Sequence, residues 1–186
     1  MSIDQNNLEI LALPGSLRKA SLIRQLLFSL QELAPEGMEI SIFELHDIPM
    51  YNQDVEDELG FPTAVQDLRE AISRADGLIL ATPEYNGSMT GALKNSIDWA
   101  SRQGLLAKVP ATPITGSPGA LGATKAQEHL RSVMGHLGMC VLSRPAVAVP
   151  QMQTKIKHQT VTDEMTRKFI GEWLEAFRDW IVQLNK

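Results

Sequence analysis

Cysteine is almost absent from this chain: Cys140 is the single one in 186 residues. No disulfide framework can therefore form within the chain, and no cluster of thiolates can hold a metal. Cys140 lies in the apolar stretch GMCVLS and reads as a buried thiol in or beside a strand rather than a nucleophile. Basic charge is not concentrated anywhere. Net charge is −5, and the basic residues are spread without the stripe that tracks a phosphodiester backbone, which argues against a nucleic-acid partner. No apolar run is long enough to cross a bilayer, and the opening MSIDQNN is polar and acidic rather than basic then apolar, so the expected location is the cytoplasm. Internal repeats, low-complexity tracts and linkers are missing too. With 44% hydrophobic residues, the composition suits one compact domain spanning 1–186.

Short apolar runs alternate with amphipathic segments. The runs LEILALP (8–14), MEISIFEL (38–45), DGLILATP (76–83), VPATPIT (109–115) and SRPAVAVP (143–150) read as five strands, the second nearer an edge. Between them, Leu22, Leu26, Leu30 and Leu33 share one helical face, and Val65, Leu68 and Ile72 share another. Leu93, Ile97 and Ala100 line a third helix; Leu130, Met134 and Leu137 line a fourth, closed by Gly138. A last helix carries Phe169, Ile170, Trp173, Phe177, Trp180, Ile181 and Leu184, a stripe for the core or a subunit interface. The stretch HDIPMYNQDVEDELGFP (46–62) reads as one long irregular connection, which suggests a function for it.

Five strands and five helices in strict alternation predict an α/β doubly wound parallel sheet in the order 2-1-3-4-5, with helices on both faces. In such a sheet the ligand crevice opens outside the carboxyl ends of strands 1 and 3, where strand order reverses. That places two loops at the site, about 14–21 and 83–90.

The first loop, GSLRKAS, suits an anion. Amides at a helix start point outward without partners, and Ser16, Ser21 and the Arg18 guanidinium can close around a phosphate while Gly15 lets the backbone turn. The plainer alternative is that Ser16 caps the helix and Arg18 is a solvated surface residue. Neither a Lys-Ser/Thr pair at P-loop spacing nor G-x-G-x-x-G follows, which leaves a phosphomonoester rather than a nucleoside triphosphate or a Rossmann dinucleotide. In the second loop, Pro83, Glu84, Tyr85, Asn86 and Gly87 form a tight segment before a helix beginning near Thr90. Its backbone polar groups, the Asn86 amide and the Tyr85 ring suit a flat heteroaromatic system with polar edges. A ligand with a phosphate at one loop and such a ring at the other is flavin mononucleotide (FMN). The third loop, GSPGALGAT (116–124), borders the same crevice, with Ser117 and Gly119 near the ring's far edge; alternatively its glycines only free the chain to enter the next helix. Met50, Tyr51 and Asn52 of the long connection are further candidates to cover the site, from this subunit or across a dimer.

The motifs GSLRKAS, PMYNQDVE, ADGLILATPEYNGSMTGALKNSIDWASR, GSPGALGATKAQEHLR and FIGEWLEAFRDWI, in that order, resemble the NAD(P)H-dependent FMN reductase family of flavodoxin-like proteins, which includes quinone, chromate and azo-dye reductases. PEYNG followed by LKN-x-x-DW is the specific part. By this resemblance Ser16, Arg18 and Ser21 hold the FMN phosphate, Pro83, Glu84, Tyr85 and Asn86 line the isoalloxazine and ribityl chain, and Ser117 sits near the ring. Two positions depart from the family pattern: Ile23 stands where asparagine is common and Lys125 where arginine is.

The resemblance further implies that NADPH or NADH reduces bound FMN and leaves, after which a quinone, an azo compound, a metal oxyanion or free flavin takes the same face. No side-chain acid or base is needed, because the cofactor carries the chemistry. Accordingly no Ser/His/Asp set is discernible, and His46, His129, His136 and His158 show no ligand-like grouping. A homodimer or homotetramer is implied, with Leu93, Ile97, Asp98 and Trp99 offered either for the dimer face or for packing on the chain's own sheet. Two other functions suit the fold: an electron carrier that does not oxidise NAD(P)H itself, and an interaction module that has lost flavin.

Overall fold

The computed structural model describes residues 7–184; the opening MSIDQN lies outside them. Chain order is β1 (Leu8–Pro14), α1 (Leu22–Leu33), β2 (Met38–Ile42), α2 (Gln53–Leu59), α3 (Thr63–Arg74), β3 (Gly77–Thr82), α4 (Gly91–Ala100), β4 (Pro110–Gly116), α5 (Thr124–His136), β5 (Cys140–Val141), β6 (Val147–Val149), α6 (Met152–Lys155), β7 (Ile156–Lys157), β8 (Thr160–Val161) and α7 (Glu164–Leu184). Among the described residues, no helix is long and apolar enough to cross a membrane.

The main sheet is parallel, in the expected order β2-β1-β3-β4-β5, with β6 also paired to β4. Its two faces follow from the period of two along a strand. On β1, Leu8, Ile10 and Ala12 face one layer with Leu26, Leu27 and Leu30 of α1 and Trp173, Phe177 and Ile181 of α7. Leu11 and Leu13 face the opposite layer with Leu68 and Ile72 of α3, Leu93 and Ile97 of α4, and Leu130 and Met134 of α5. β3 is buried along its whole length, as a central parallel strand must be, whereas β2 alternates, with Met38 and Ile40 in and Glu39 and Ser41 out.

Three expectations are corrected. The expected fifth strand, 143–150, is two short strands separated by 142–146, and the first begins earlier, at Cys140. Pro145 interrupts the ladder because it has no amide hydrogen to donate. Connection 46–62 is not irregular throughout: it contains α2, capped by Asn52 accepting from the Asp54 amide and ended at Gly60, whose φ is +74°. No residue of α2 is buried, and Val55 and Leu59 alone make too short an apolar stripe for periodicity to reveal a helix. The strict alternation is also broken after β6, where α6 and the antiparallel β7–β8 pair precede the last helix.

The stripe on α7 divides. Ile170, Trp173, Phe177 and Ile181 are buried, Trp180 is half-buried, and Phe169 and Leu184 are exposed. Inside the core the Trp173 indole Nε1–H donates to Thr112 Oγ1 at 3.1 Å, linking α7 to β4. Thr112→Val keeps the shape but strands that donor, and is expected to lower the unfolding free energy by about 1–3 kcal/mol in urea titrations. In a Trp173→Phe background, which has no such donor, the same substitution should cost clearly less.

Candidate active site

The carboxyl ends of β1 and β3 are stitched together before any ligand is considered. The Gly15 amide donates to the Ala81 carbonyl at 2.7 Å, and the Thr90 hydroxyl donates to the Gly15 carbonyl. Thr90 also caps α4 by accepting from the Leu93 amide, and its own amide donates to Thr82 Oγ1. A Cβ at position 15 would meet Thr90 Oγ1 at 2.8 Å and the Ala81 carbonyl oxygen at 3.0 Å. Glycine is thus required there for close approach of neighbouring elements, a different reason from the tight turn expected of it.

Beyond this stitch the chain runs through 16–20 and enters α1. Ser21, not Ser16, is the cap: its Oγ accepts from the Arg24 amide at 3.2 Å. Capping uses a lone pair and leaves the hydroxyl hydrogen free to donate. Among the described residues, the amides of Ser16, Leu17, Arg18, Lys19 and Ala20 donate to no protein acceptor. Arg18 likewise has no carboxylate within ion-pair distance, and the first turn of α1 holds no acidic residue. These donors together with the positive end of α1 form a setting for an anion.

In the second loop, paired hydrogen bonds between Tyr85 and Ser88 close a two-residue turn in which Asn86 (φ +52°) and Gly87 (φ +74°) are both left-handed. Two contacts anchor this turn to α5: Glu84 Oε2 accepts from the Ala126 amide at 3.2 Å, and Ser88 Oγ lies 3.0 Å from His129 Nδ1. The Glu84 carboxylate thus answers the α5 N-terminus, while the Tyr85 ring stays half-exposed. The third loop is held against 149–152, with the Ser117 amide donating to Val149 and the Met152 amide to Ser117.

These three loops enclose an open cleft of about 210 Å³. Ser16, Arg18, Ser21, Pro83, Glu84, Tyr85 and Ser117 all line it. Gly15, Asn86 and Gly87 do not; they shape the backbone that positions the lining residues. Leu22, Ile23, Gly116, Pro118 and Met152 line it without having been singled out as contacts. Four of them lie within two residues of Ser21 or Ser117 in sequence, so neighbourhood was the available signal. Met152 comes from α6 and carried none; a Cβ on Gly116 would fall 2.3 Å from its sulfur, so the glycine makes room for it. Ile23 is buried, with its side chain in the core.

Met50, Tyr51 and Asn52 are absent from the lining. Their segment is strapped onto α4: Asn95 Nδ2 and Trp99 Nε1 both donate to the Pro49 carbonyl, Asn95 Oδ1 accepts from the Tyr51 amide, and the Tyr51 and Trp99 rings meet edge to face at 4.8 Å. Desolvation, then the hydrogen bond the phenol donates to Glu56, raises the Tyr51 pKa above its ordinary value. Leu93, Ile97 and Trp99 are buried within this same chain, and Asp98 pairs with Lys94.

A cleft with an anion cradle at the end of β1 and an aromatic ring at the end of β3 is matched by the NADPH-dependent FMN reductase model over residues 8–154. The chain belongs to that family. It is accordingly an oxidoreductase using FMN and NAD(P)H. It is 39% identical to an NAD(P)H-dependent FMN reductase of Pseudomonas aeruginosa, over 97% of this chain and 98% of the relative. Identity to a quinone reductase of Escherichia coli K12 is also 39%, over 96% and 97%. Among solved structures, the flavoenzyme NAD(P)H:(acceptor) oxidoreductase FerB of Paracoccus denitrificans superposes with a TM-score of 0.86 at 36% identity, covering 95% of this chain and 98% of that one. The flavodoxin-like architecture expected from the strand order is therefore the family's own.

Because the Thr90 hydroxyl joins both loops of this FMN reductase family member, Thr90→Val should loosen them together. Expected are a loss of about 1–3 kcal/mol in unfolding free energy and faster amide hydrogen exchange across both 15–21 and 83–90. Loosening confined to one loop would contradict the stitch.

Proposed function

We propose that the cleft is the FMN site and that its exposed side is where NAD(P)H and the final electron acceptor take turns. The observation that carries this reading is the donor set at the end of β1: among the described residues, five amides without protein acceptors, two cleft-lining hydroxyls, and Arg18 without a carboxylate, all on one loop beside Tyr85. A phosphate monoester suits that set in charge and in number of acceptors. Glu84, the acidic side chain of the cleft, is occupied at the α5 N-terminus, which reduces its repulsion toward an anion.

Arg18, Ser16 and Ser21 hold the phosphate in this reading, and Gly15 and Thr90 fix the loop that presents them. Pro83, Glu84 and Tyr85 lie along the ring system and ribityl chain, with Asn86 and Gly87 setting their turn, and Ser117 stands at the opposite wall. Held by these residues, FMN would supply the redox chemistry that links the nicotinamide to the oxidant. The protein's share is to bind, orient and leave one side open, which calls for no acid or base among the cleft residues. An open cleft admits oxidants of varied shape, so quinones are the proposed acceptors, with azo compounds, metal oxyanions and free flavin as further ones.

The chain is proposed to act as one FMN-binding domain over 1–186, because β1, β3 and β4 contribute to both core layers. A homodimer or homotetramer is the proposed assembly, supported by exposed apolar side chains such as Met50, Leu59 and Met165. Cytoplasmic location is supported by the free thiol of Cys140, which suits a reducing compartment.

Addition of NADPH or NADH to the FMN-loaded protein without oxygen should bleach its visible absorption, and 1,4-benzoquinone should restore it. Failure to bleach without a partner protein would point instead to an electron carrier. Arg18→Ala should weaken FMN binding by about 1.5–3 kcal/mol, as for a hydrogen bond to a charged group. An unchanged dissociation constant would remove the phosphate assignment.

A further inference from the structure

We propose that His46 is a positioning residue that orients the anion loop from behind, an inference that rests on reading that loop as the FMN phosphate site. His46 lies after β2 and is absent from the cleft lining. Its Nε2 stands 2.9 Å from the Leu17 carbonyl oxygen. A carbonyl only accepts, so Nε2 carries the proton and donates it. On the other side of the ring, Nδ1 faces Glu44 Oε2 at 3.7 Å, and Glu44 Oε1 accepts from Arg24 Nε. The Arg24 amide donates in turn to Ser21 Oγ, and the Ser21 amide donates to the Arg18 carbonyl. The contacts thus run Leu17, His46, Glu44, Arg24, Ser21, Arg18, closing a circuit around the loop.

Peptide geometry explains why the Leu17 contact matters. In a planar trans peptide, the carbonyl of Leu17 and the N–H of Arg18 point in opposite directions. Drawing the carbonyl toward His46 therefore sets the direction of the Arg18 amide, one of the unpartnered donors. At the loop's other end, Ile23 has an apolar, buried side chain and offers the loop no hydrogen bond. Orientation has to be imposed from the β2 side, where Glu44 and His46 stand. Glu44 Oε2 is buried without a hydrogen-bond partner, so the carboxylate is committed to this position beside the imidazole.

The test compares FMN with riboflavin, which lacks the phosphate, by fluorescence titration of the wild type, His46→Ala, His46→Gln and Arg18→Ala. His46→Ala should raise the FMN dissociation constant about tenfold, the worth of one hydrogen bond. Riboflavin affinity should change less than about twofold, as for an ordinary surface substitution. His46→Gln, whose side-chain amide can donate to Leu17, should recover most of the FMN affinity. Equal weakening of both ligands by His46→Ala, unchanged FMN binding, or no recovery with glutamine would each overturn the proposal. If Arg18→Ala weakens FMN selectively and His46→Ala does not, the phosphate reading stands and the positioning role falls. If neither variant changes the FMN-to-riboflavin ratio, the phosphate reading fails and the positioning role fails with it.

Discussion

The hydrogen bond from the Thr90 hydroxyl to the Gly15 carbonyl joins the two chain segments whose separation defines the cleft. Neighbouring parallel strands lie side by side through their backbone ladder, but their outgoing loops diverge unless something holds them. Here one buried hydroxyl caps α4 and binds the end of β1, and the missing Cβ at position 15 permits that approach. The anion loop and the Tyr85 turn consequently share one rigid base. The proposed flavin site depends on that arrangement, since the phosphate and the ring of one ligand would have to be met at a fixed distance from each other.

On this base, charge is distributed by commitment of each carboxylate elsewhere. Glu84 answers the N-terminus of α5, and Glu44 takes Arg24 behind the loop. Among the described residues, Arg18 is left without a carboxylate, and the amides from Ser16 to Ala20 are left without protein acceptors. A cleft suited to an anion is prepared in this way by occupying the acids around it rather than by adding many cations. The open side of the cleft, with the half-exposed Tyr85 ring, then suits successive occupation by a nicotinamide and an acceptor, which is the activity of the family.

Much of this was legible in the sequence because it depends on local periodicity or local turn chemistry. The buried run GLILAT announces a central strand, the 3.6-residue period of α3 announces a helix, and Asn86-Gly87 announces a two-residue turn. Ser16, Ser21 and Arg18 followed from their place after the first strand, and Ser117 from its place after β4. α2 was hidden because it is short and carries just Val55 and Leu59 as apolar residues, and the split edge strand because an apolar run does not display the ladder that Pro145 interrupts. The length of connection 46–62 made Met50, Tyr51 and Asn52 candidates to cover the site, yet within this chain their segment is held by Asn95 and Trp99, more than forty residues onward in α4.

The order of strands, the place of the crevice and the kinds of group around it were thus determined by the sequence alone, since alternation of apolar runs with amphipathic helices admits few topologies. Tertiary structure decided which groups line the cleft and which serve the frame: Ser21 caps while Ser16 does not, Glu84 turns to α5, Met152 enters the cleft from α6, and His46 reaches the Leu17 carbonyl. Each of those choices is a contact between residues brought together by packing, and spacing along the chain carries no record of it.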